Sequence, residues 1–199
     1  MDQVKIEYYG HSCFRLSWQG QRIVLDPYGD GYVPGYAPLR LDAEFVYCSH
    51  GHADHNAVET VKLHKGAKPL FTVTELETDH DEAGGTKRGK NTVRIFTFGA
   101  VRAAHLGDLG RMLTAQEAEA LRGLDVLMIP VGGFFTIDAS QAQEIVEQLA
   151  PRAVIPMHYR TESTGYDVLG TLDDFMSRFG DEAPDLIPLT CGGHIDLEK

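Results

Sequence analysis

The sequence predicts a mixed α/β fold in which two sheets pack face to face and helices lie on the outside. Two observations indicate this. Short strand patterns joined by glycine turns come first, and strands then alternate with helical patterns. No linker, repeat or low-complexity stretch interrupts the chain, so we expect residues 1–199 to form a single domain. A chain of 199 residues with 43% hydrophobic content is long enough to bury a core without covalent cross-links.

The first half of the chain is predicted to consist mainly of strands. Residues 29–38, rich in glycine, tyrosine and proline, are expected to form a loop. After Asp54, apolar residues recur at helical spacing and predict a helix that ends at Gly66. A second, polar and glycine-rich loop is expected at residues 78–90. The strands predicted in this half are residues 5–9, 12–18, 21–25, 44–48, 70–76, 93–98 and 101–106.

The second half of the chain adds helices with recognisable starts. Residues 114–117, Thr-Ala-Gln-Glu, form a capping box, in which a hydroxyl and a carboxylate satisfy the first free amides of a helix. Asp138 has the chemistry to cap another helix that runs to Leu149, and we expect it to do no more than that. The remaining predicted elements are strands at residues 125–130, 153–156 and 186–189 and a helix at 172–179.

The net charge of the chain limits the classes of partner that it is expected to bind. Acidic residues outnumber basic ones 29 to 18, and the formal net charge is −11. A field of this sign repels polyanions, so nucleic acid is not an expected partner. Small anions are a separate matter, because the run Lys87-Arg88-Gly89-Lys90 is a local basic exception. We therefore expect a small-molecule substrate, and a homo-oligomer is compatible with the sequence.

The compartment is predicted from the termini and the cysteines. The chain begins Met-Asp-Gln-Val-Lys, with no basic patch followed by an apolar stretch, so no secretory signal is visible. The most apolar stretch, residues 126–135, is too short to span a bilayer and contains a proline and two glycines. Three scattered cysteines favour free thiols in a reducing compartment over a disulfide framework. These observations predict a cytoplasmic protein with no membrane partner.

Three histidines and an aspartate crowd the segment that follows the strand predicted at residues 44–48. His50 and His52 are two residues apart, so in an extended segment they point the same way and can hold one ion. The chain then turns and presents Asp54 and His55 towards a second ion. Imidazole and carboxylate are the ligands that zinc, manganese and iron accept. The alternative is a solvated, histidine-rich loop.

The run Ser49-His50-Gly51-His52-Ala53-Asp54-His55 resembles the His-x-His-x-Asp-His signature of metallo-β-lactamase-fold hydrolases. The resemblance extends over nearly the whole chain and looks like the branch of small hydrolases similar to ascorbate-6-phosphate lactonase. It implies a four-layer αββα sandwich with the metal site at strand ends between the two sheets. The other segments that carry it are residues 10–14 (GHSCF), 25–27 (LDP), 105–108 (HLGD), 129–133 (IPVGG) and 155–159 (IPMHY).

The resemblance also implies a set of metal ligands, carried over by position. His50 and His52 are expected to hold the first metal, and Asp108 to bridge both metals. The ligands expected at the second metal, besides the bridge, are Asp54, His55 and His158.

Two histidines compete for the third ligand position of the first metal. His80 follows a strand and opens a polar loop, which is where the family has this histidine, and we favour it. His105 is the rival, three residues before Asp108. If His80 is the ligand, His105 lies behind the site or packs in the core. Asp81 after His80 departs from the Gly-His-Thr-Pro pattern of better-known members, which leaves the substrate open.

Several further residues are expected near the site. Asp26 is predicted to orient a ligand histidine by accepting its other N–H group. His11 either lines the cleft or is a hydrogen-bonded core histidine. The loop from His80 to Asn91 is expected to form one wall of the cleft, with Arg88 as a bidentate clamp for a phosphate or carboxylate. The alternative is that its basic residues are only solvated. The predicted substrate-contacting residues are therefore His11, Arg88, Asn91 and Gly133.

These residues predict metal-dependent hydrolysis. Two divalent ions bridged by a carboxylate lower the pKa of a bridging water and polarise the bond to be cleaved. Asp54 and Asp108 are the expected catalytic carboxylates, the first by orienting that water and taking its proton. No Gly-x-Ser-x-Gly elbow is present, so no serine nucleophile is invoked. We expect two zinc ions, with manganese or iron as alternatives, and a small ester, lactone, amide or phosphodiester substrate. The alternative function is a metal-binding scaffold or sensor without turnover.

Overall fold

The computed structural model describes residues 3–180, 189 and 191–198. Twelve strands and three α-helices are assigned within them. The strands are β1 (Val4–Gly10), β2 (Cys13–Trp18), β3 (Gln21–Leu25), β4 (Leu41–Ala43), β5 (Phe45–Tyr47), β6 (Val61–Leu63), β7 (Thr72–Asp79), β8 (Lys90–Phe98), β9 (Val101–His105), β10 (Val126–Pro130), β11 (Ala153–Met157) and β12 (His194–Leu197). The helices are α1 (Ala115–Ala120), α2 (Ala139–Leu149) and α3 (Leu172–Met176).

The strands form two five-stranded mixed sheets and one small pair. The first sheet has the order β12-β1-β2-β3-β5, and the second has the order β11-β10-β9-β8-β7. β4 pairs in parallel with β6 outside both sheets. Within the first sheet β3 and β5 are parallel, and within the second sheet β9, β10 and β11 are parallel. The predicted architecture of two sheets with helices outside is confirmed.

One hydrophobic core lies between the two sheets. Side chains from the first sheet, such as Phe14 and Leu16, pack in one cluster with Phe96 and Ile155 from the second. Burying such side chains contributes about 1.5–3 kcal/mol each, so this layer is a major source of stability. It also fixes the two sheets relative to each other, and therefore the strand ends that carry the site.

The outer faces of the sheets are covered differently. All three described helices pack on the second sheet, where Leu121, Ile145 and Phe175 join the apolar side chains of its strands. The outer face of the first sheet is covered by the segment from Tyr28 to Val61, which supplies loop residues and the β4–β6 pair. The fourth layer is therefore built from loop and short strands in the part of the chain that the structure describes.

The helix predicted between Asp54 and Gly66 is wrong. The segment forms a single 3₁₀ turn at Val58–Thr60 and then the strand β6. Val58 and Leu63, two members of the predicted apolar stripe, are exposed. The backbone of β6 instead pairs with β4, and β-branched residues favour that extended conformation.

The other predicted elements differ only at their ends. The capping boxes at Thr114 and Asp138 are both present, so the helix starts were correct. The helix predicted at residues 172–179 starts as expected and ends at Met176. The strand predicted at residues 186–189 lies outside the described residues except for Leu189, which is buried. No described helix combines the length and apolar character that a membrane span requires.

Candidate metal centre

The candidate site lies where the carboxyl ends of alternate strands meet. In the first sheet β1, β3 and β5 run in one direction, and in the second sheet β7, β9 and β11 share a direction. Each of these six strands is followed by a residue of the site. In strand order these are His11, Asp26, His50, His80, Asp108 and His158. The fold thus brings together side chains that are far apart in sequence.

The first group consists of three histidines. The ligand atoms of His50, His52 and His80 all lie within 4.8 Å of one another. The ring centroid of His50 is 4.5 Å from that of His52 and 4.6 Å from that of His80. His80, favoured from the sequence, is therefore the histidine that joins the pair from the motif.

The second group combines three expected ligands with one further histidine. The ligand atoms of Asp54, His55, His158 and His11 lie within 4.8 Å of one another. Asp54 borders the cleft with its side chain 18% exposed, whereas the histidines are buried. Burial alone would raise the pKa of Asp54, but the hydrogen bond from His11 and the nearby His55 hold it below the usual range.

Asp108 stands between the two groups. Its Oδ2 atom is 3.3 Å from Nε2 of His80 on one side. On the other side the same oxygen is 3.2 Å from Nε2 of His55 and 3.3 Å from Nε2 of His158. The backbone N–H of Asp108 donates to Oδ1 of Asn91 at 2.9 Å, and this hydrogen bond fixes the position of Asp108. A single carboxylate thus reaches both histidine groups.

The donor set fits divalent metal ions. Nε2 of His50, His55 and His158 and Oδ1 of Asp108 are buried without a hydrogen-bond partner among the described residues. Leaving such atoms unpaired costs about 1–3 kcal/mol each, and buried polar atoms are rarely left so. Here they converge, and imidazole nitrogen with carboxylate oxygen is the donor set of zinc and related metals. A cation bound to these atoms removes the cost.

Burial keeps the His50 imidazole in the form that binds a metal. It lowers the pKa of His50 to about 4, although the Asp108 carboxylate opposes the shift, so this side chain is neutral at neutral pH. For His55, burial also acts to lower the pKa, but Asp108 and Asp26 raise it well above the usual range. A proton and a metal ion would therefore compete for Nε2 of His55.

Asp26, predicted to orient a ligand histidine, is hydrogen-bonded to His55. Its Oδ2 atom accepts a hydrogen bond from Nδ1 of His55 at 2.8 Å, which leaves Nε2 to face the site. The same carboxylate accepts from the backbone N–H of Ser49 at 2.7 Å and from its hydroxyl at 2.5 Å. Ser49 Oγ lies 2.9 Å from Nδ1 of His50, so one buried carboxylate fixes two rings through a short network.

His105 takes no part in either group. Its Nε2 lies 3.0 Å from the carbonyl oxygen of Ser12, and its Nδ1 accepts from the backbone N–H of Gly107 at 3.1 Å. Both ring nitrogens are used, and the ring packs edge-on against Phe14. The position of His105 therefore supports a place behind the site and not the role of a metal ligand.

Two of the predicted substrate-contacting residues lie elsewhere. Asn91 is fully buried, and its amide donates to Thr78 and to the carbonyl of Leu106 while accepting from Asp108. Its hydrogen bonds are all used inside the protein, so it supports Asp108 and does not face the cleft. Gly133 is also buried, with φ of 67°, and turns the chain ahead of Phe135. Phe135 is the residue of this turn that lines the cleft.

A cleft of about 300 Å³ opens next to the two groups of candidate ligands. Arg88 lines it, with its guanidinium carbon 5.4 Å from the centre of the Phe135 ring. The other two basic residues of the loop are paired with acids, Lys87 with Glu82 and Lys90 with Asp79. The cleft is lined by His52, Asp54, His80, Arg88, Asp108, Phe135 and Tyr166.

Asp81 shapes the loop that carries Arg88. Its Oδ1 accepts from the backbone N–H groups of Ala83 and Gly85, and its Oδ2 from those of Lys87 and Arg88. Burial would raise the pKa of Asp81, but these backbone hydrogen bonds lower it to about 2. One carboxylate next to a candidate ligand thus holds the loop of residues 82–88, from which Arg88 reaches the cleft.

Four contributors were missed from the sequence: Ser49, Asp81, Phe135 and Tyr166. Ser49 and Asp81 directly precede or follow a candidate ligand, and that adjacency was a usable signal. An aspartate at the start of a glycine-rich loop is a common acceptor for backbone N–H groups. Phe135 and Tyr166 had no local motif, because only the fold carries them to the cleft.

Comparison with known proteins shows which family this chain resembles. The family model of the β-lactamase superfamily domain matches residues 5–158, a span that contains all the candidate ligands. A protein of family UPF0173 from Pyrococcus abyssi (strain GE5 / Orsay) is 30% identical over 193 residues, covering 81% of this chain and 86% of the relative. A UPF0173 metal-dependent hydrolase from Thermococcus onnurineus (strain NA1) is 28% identical over 219 aligned positions, covering 92% of this chain and 96% of the relative.

A solved structure extends the likeness to three dimensions. A proposed Zn-dependent hydrolase of the metallo-β-lactamase superfamily from Thermotoga maritima matches this chain with a TM-score of 0.71 and 34% sequence identity. The match covers 89% of this chain and 87% of the other. The fold, the histidine motif and the donor set of this chain therefore all indicate a metal-dependent hydrolase.

Proposed function

Because this chain belongs to the β-lactamase superfamily and is a metal-dependent hydrolase, we propose that it uses two divalent metal ions, zinc before manganese or iron. The reaction proposed is hydrolysis of a small ester, lactone or phosphodiester. The observation that carries the count of two is the position of Asp108. Its Oδ2 atom lies within 3.3 Å of Nε2 of His80, of His55 and of His158, and so borders both ligand groups.

The residues divide the work of this reaction. The bound ions supply Lewis acidity and lower the pKa of a water molecule at the site. His50, His52 and His80 hold one ion, Asp54, His55 and His158 the other, with Asp108 shared. Of the two ligand carboxylates that line the cleft, Asp54 has the more exposed side chain, 18% against 3% for Asp108. It is therefore placed to orient the attacking water and to accept its proton.

Arg88 supports a substrate that carries an anionic group. No carboxylate of the described residues forms an ion pair with it, whereas Lys87 and Lys90 are both paired. A guanidinium stacked on a ring keeps its in-plane N–H groups for a carboxylate or phosphate. The volume of about 300 Å³ suits a small molecule and not a polymer.

Three free cysteines are in keeping with a reducing, cytoplasmic location.

Metal analysis combined with a substrate panel tests the proposal. Protein stripped by a chelator and reloaded with zinc, manganese or iron is expected to bind about two ions per chain. The panel contains lactones, phosphodiesters and thioesters, each in an anionic and a neutral version. Asp108→Asn is expected to lose metal and to lower kcat/KM by more than about 100-fold. Binding of fewer than two ions contradicts the dinuclear proposal, and two ions without turnover favours the scaffold or sensor.

The substrate's charge has its own test. Arg88→Ala is expected to raise KM for the anionic substrate by about tenfold to a hundredfold, since a charged hydrogen bond contributes about 1.5–3 kcal/mol. Lys87→Ala removes the adjacent positive charge, which is exposed and paired with Glu82, and serves as the matched control. Equal, small effects of both variants on charged and neutral substrates contradict the role of Arg88.

A further inference from the structure

His11 is a buried histidine beside the second ligand group but outside the ligand set that carries the proposed function. It occupies the turn between β1 and β2 and is 0% exposed. Its φ is 53°, in the left-handed region that costs an ordinary residue about 1 kcal/mol. Strain of this kind persists only where the surroundings hold it, and it often marks functional positions.

The backbone around His11 is held by the second sheet. Its carbonyl oxygen accepts a hydrogen bond from the backbone N–H of His158 at 2.9 Å and one from the hydroxyl of Tyr8 at 3.0 Å. His158 itself has φ of 55°. Two strained residues, one from each sheet, are therefore joined directly at the second ligand group.

The ring of His11 reaches Asp54. Nε2 of His11 lies 3.3 Å from Oδ2 of Asp54, and the ring packs against that of His158 at a tilt of 40°, with centroids 4.2 Å apart. An ionised carboxylate only accepts hydrogen bonds, so Nε2 carries the proton and donates. The other contact to Asp54 Oδ2 from a donor among the described residues is that of the Tyr166 hydroxyl at 3.5 Å. The single O–H of Tyr166 has a nearer acceptor in the Tyr32 carbonyl, at 3.0 Å.

We propose that His11 is a positioning residue that holds the Asp54 carboxylate for the second metal ion, and that it is not itself a ligand. Four protein donors already serve that position: Asp54, His55, His158 and the shared Asp108. A fifth would fill the place that a catalytic site leaves open for water or substrate. Asp54 lies in an irregular turn on the cleft wall, so without His11 its carboxylate loses its shortest hydrogen bond.

The proposal rests on the proposed function, and three variants test it. His11→Leu removes the donor at similar volume, and His11→Gln keeps an N–H group on a side chain long enough to approach Asp54. Ser12→Ala is the control: Ser12 is in the same turn and fully buried, and its hydroxyl has no hydrogen-bond partner among the described residues. If His11→Leu does not fold, His11→Asn replaces it, because asparagine tolerates left-handed backbone and is too short to reach Asp54.

The readouts are zinc affinity, measured by chelator competition, and the number of imidazoles per zinc, measured by X-ray absorption. The affinity for the second zinc is expected to fall about tenfold to a hundredfold in His11→Leu, as for other residues that orient ligands. It should recover largely in His11→Gln and stay within about twofold in Ser12→Ala. The imidazole count should be unchanged in His11→Gln.

Two results overturn the role of His11. One is wild-type affinity for the second zinc in the variant that lacks the donor. The other is loss of an imidazole from the zinc shell in His11→Gln, which makes His11 a ligand. Failure of the wild-type protein to bind a second zinc contradicts the proposed function instead, so the two failures are distinguishable.

Discussion

The Nε2–H group of His105 donates a 3.0 Å hydrogen bond to the carbonyl oxygen of Ser12. The donor lies at the end of β9 in the second sheet, and the acceptor lies in the β1–β2 turn of the first. On its other side the ring accepts the N–H of Gly107, the residue before Asp108. One buried imidazole therefore connects the turn that carries His11 with the loop that carries Asp108. Its role is to join the sheets behind the site.

The first prediction separates this role from that of a metal ligand. His80→Ala is expected to lose the metal of the three-histidine group and nearly all activity, with little change in the unfolding free energy of the metal-free protein. His105→Ala is expected to lower that free energy by about 2–4 kcal/mol, because it opens a cavity and leaves the Ser12 carbonyl and the Gly107 N–H unpaired. Metal analysis and urea unfolding measure the two effects, and metal loss in His105→Ala with His80→Ala still loaded would reverse the assignment.

His80 and His105 show how much of the candidate site could be predicted from the sequence. The spacing of His50, His52, Asp54 and His55 predicted a metal motif because ligand geometry is local there. The choice between His80 and His105 depended on which strand end faces the cleft, and only the packing of the sheets decides that. The resemblance favoured His80, and the hydrogen bonds of both nitrogens of His105 supply the physical reason.

The second prediction concerns the pH dependence of stability. Burial lowers the pKa of His105 below its ordinary value, so in the folded protein the ring stays neutral while the unfolded chain takes up a proton near pH 6.5. The stabilisation is fully present above that pH and is lost as the pH falls below it. In metal-free protein, the stability advantage of wild type over His105→Gln should shrink between pH 7.5 and 5.5, by at most about 1.4 kcal/mol per pH unit. Urea unfolding at both pH values checks this, and parallel profiles would contradict it.

The third prediction concerns the loop that carries Arg88. Asp81→Asn replaces one acceptor oxygen by an amide that faces N–H groups, so two of the four backbone hydrogen bonds that hold the loop are lost. Amide hydrogen exchange of residues 83–88 should become faster, and KM for an anionic substrate should rise together with it. Glu82→Gln, at the exposed neighbouring position, is the control and should change neither. Unaltered exchange in Asp81→Asn shows that the loop holds its shape by other means.

The same loop marks a limit of reasoning from sequence. The sequence favoured Arg88 over its two lysine neighbours only by the planar shape of its guanidinium group. It did not show that Lys87 and Lys90 have acidic partners, which are close because β7 and β8 pair and the loop turns back on itself. The failed helix after Asp54 has a similar cause. Its apolar spacing was real, yet pairing of β6 with β4 gave the backbone a different set of hydrogen bonds. In both cases a contact that forms only in the folded chain overrides a local pattern.

The last prediction tests the close packing beneath Asp108. Gly107 has φ of 55°, and a Cβ atom there would lie 2.3 Å from Oδ1 of Asn91 and 2.5 Å from Cβ of Ser49. Both neighbours are fixed, since Asn91 anchors Asp108 and Ser49 binds Asp26, so neither can move without disturbing the ligands. Gly107→Ala is expected to lower the unfolding free energy by about 2–4 kcal/mol, from overpacking and left-handed strain together.

Gly20→Ala is the matched control for Gly107→Ala, because Gly20 also has a positive φ, of 79°, but no atom within 4 Å of an added Cβ. It should cost only the backbone strain of about 1 kcal/mol and leave metal binding unchanged. Gly107→Ala should in addition weaken metal binding, since the displaced Asn91 no longer fixes the N–H of Asp108. Urea unfolding and chelator competition on both variants separate strain from displacement. Equal costs in the two variants, with metal affinity intact in both, would mean that the loop before Asp108 yields easily and that Asp108 does not depend on Asn91 for its position.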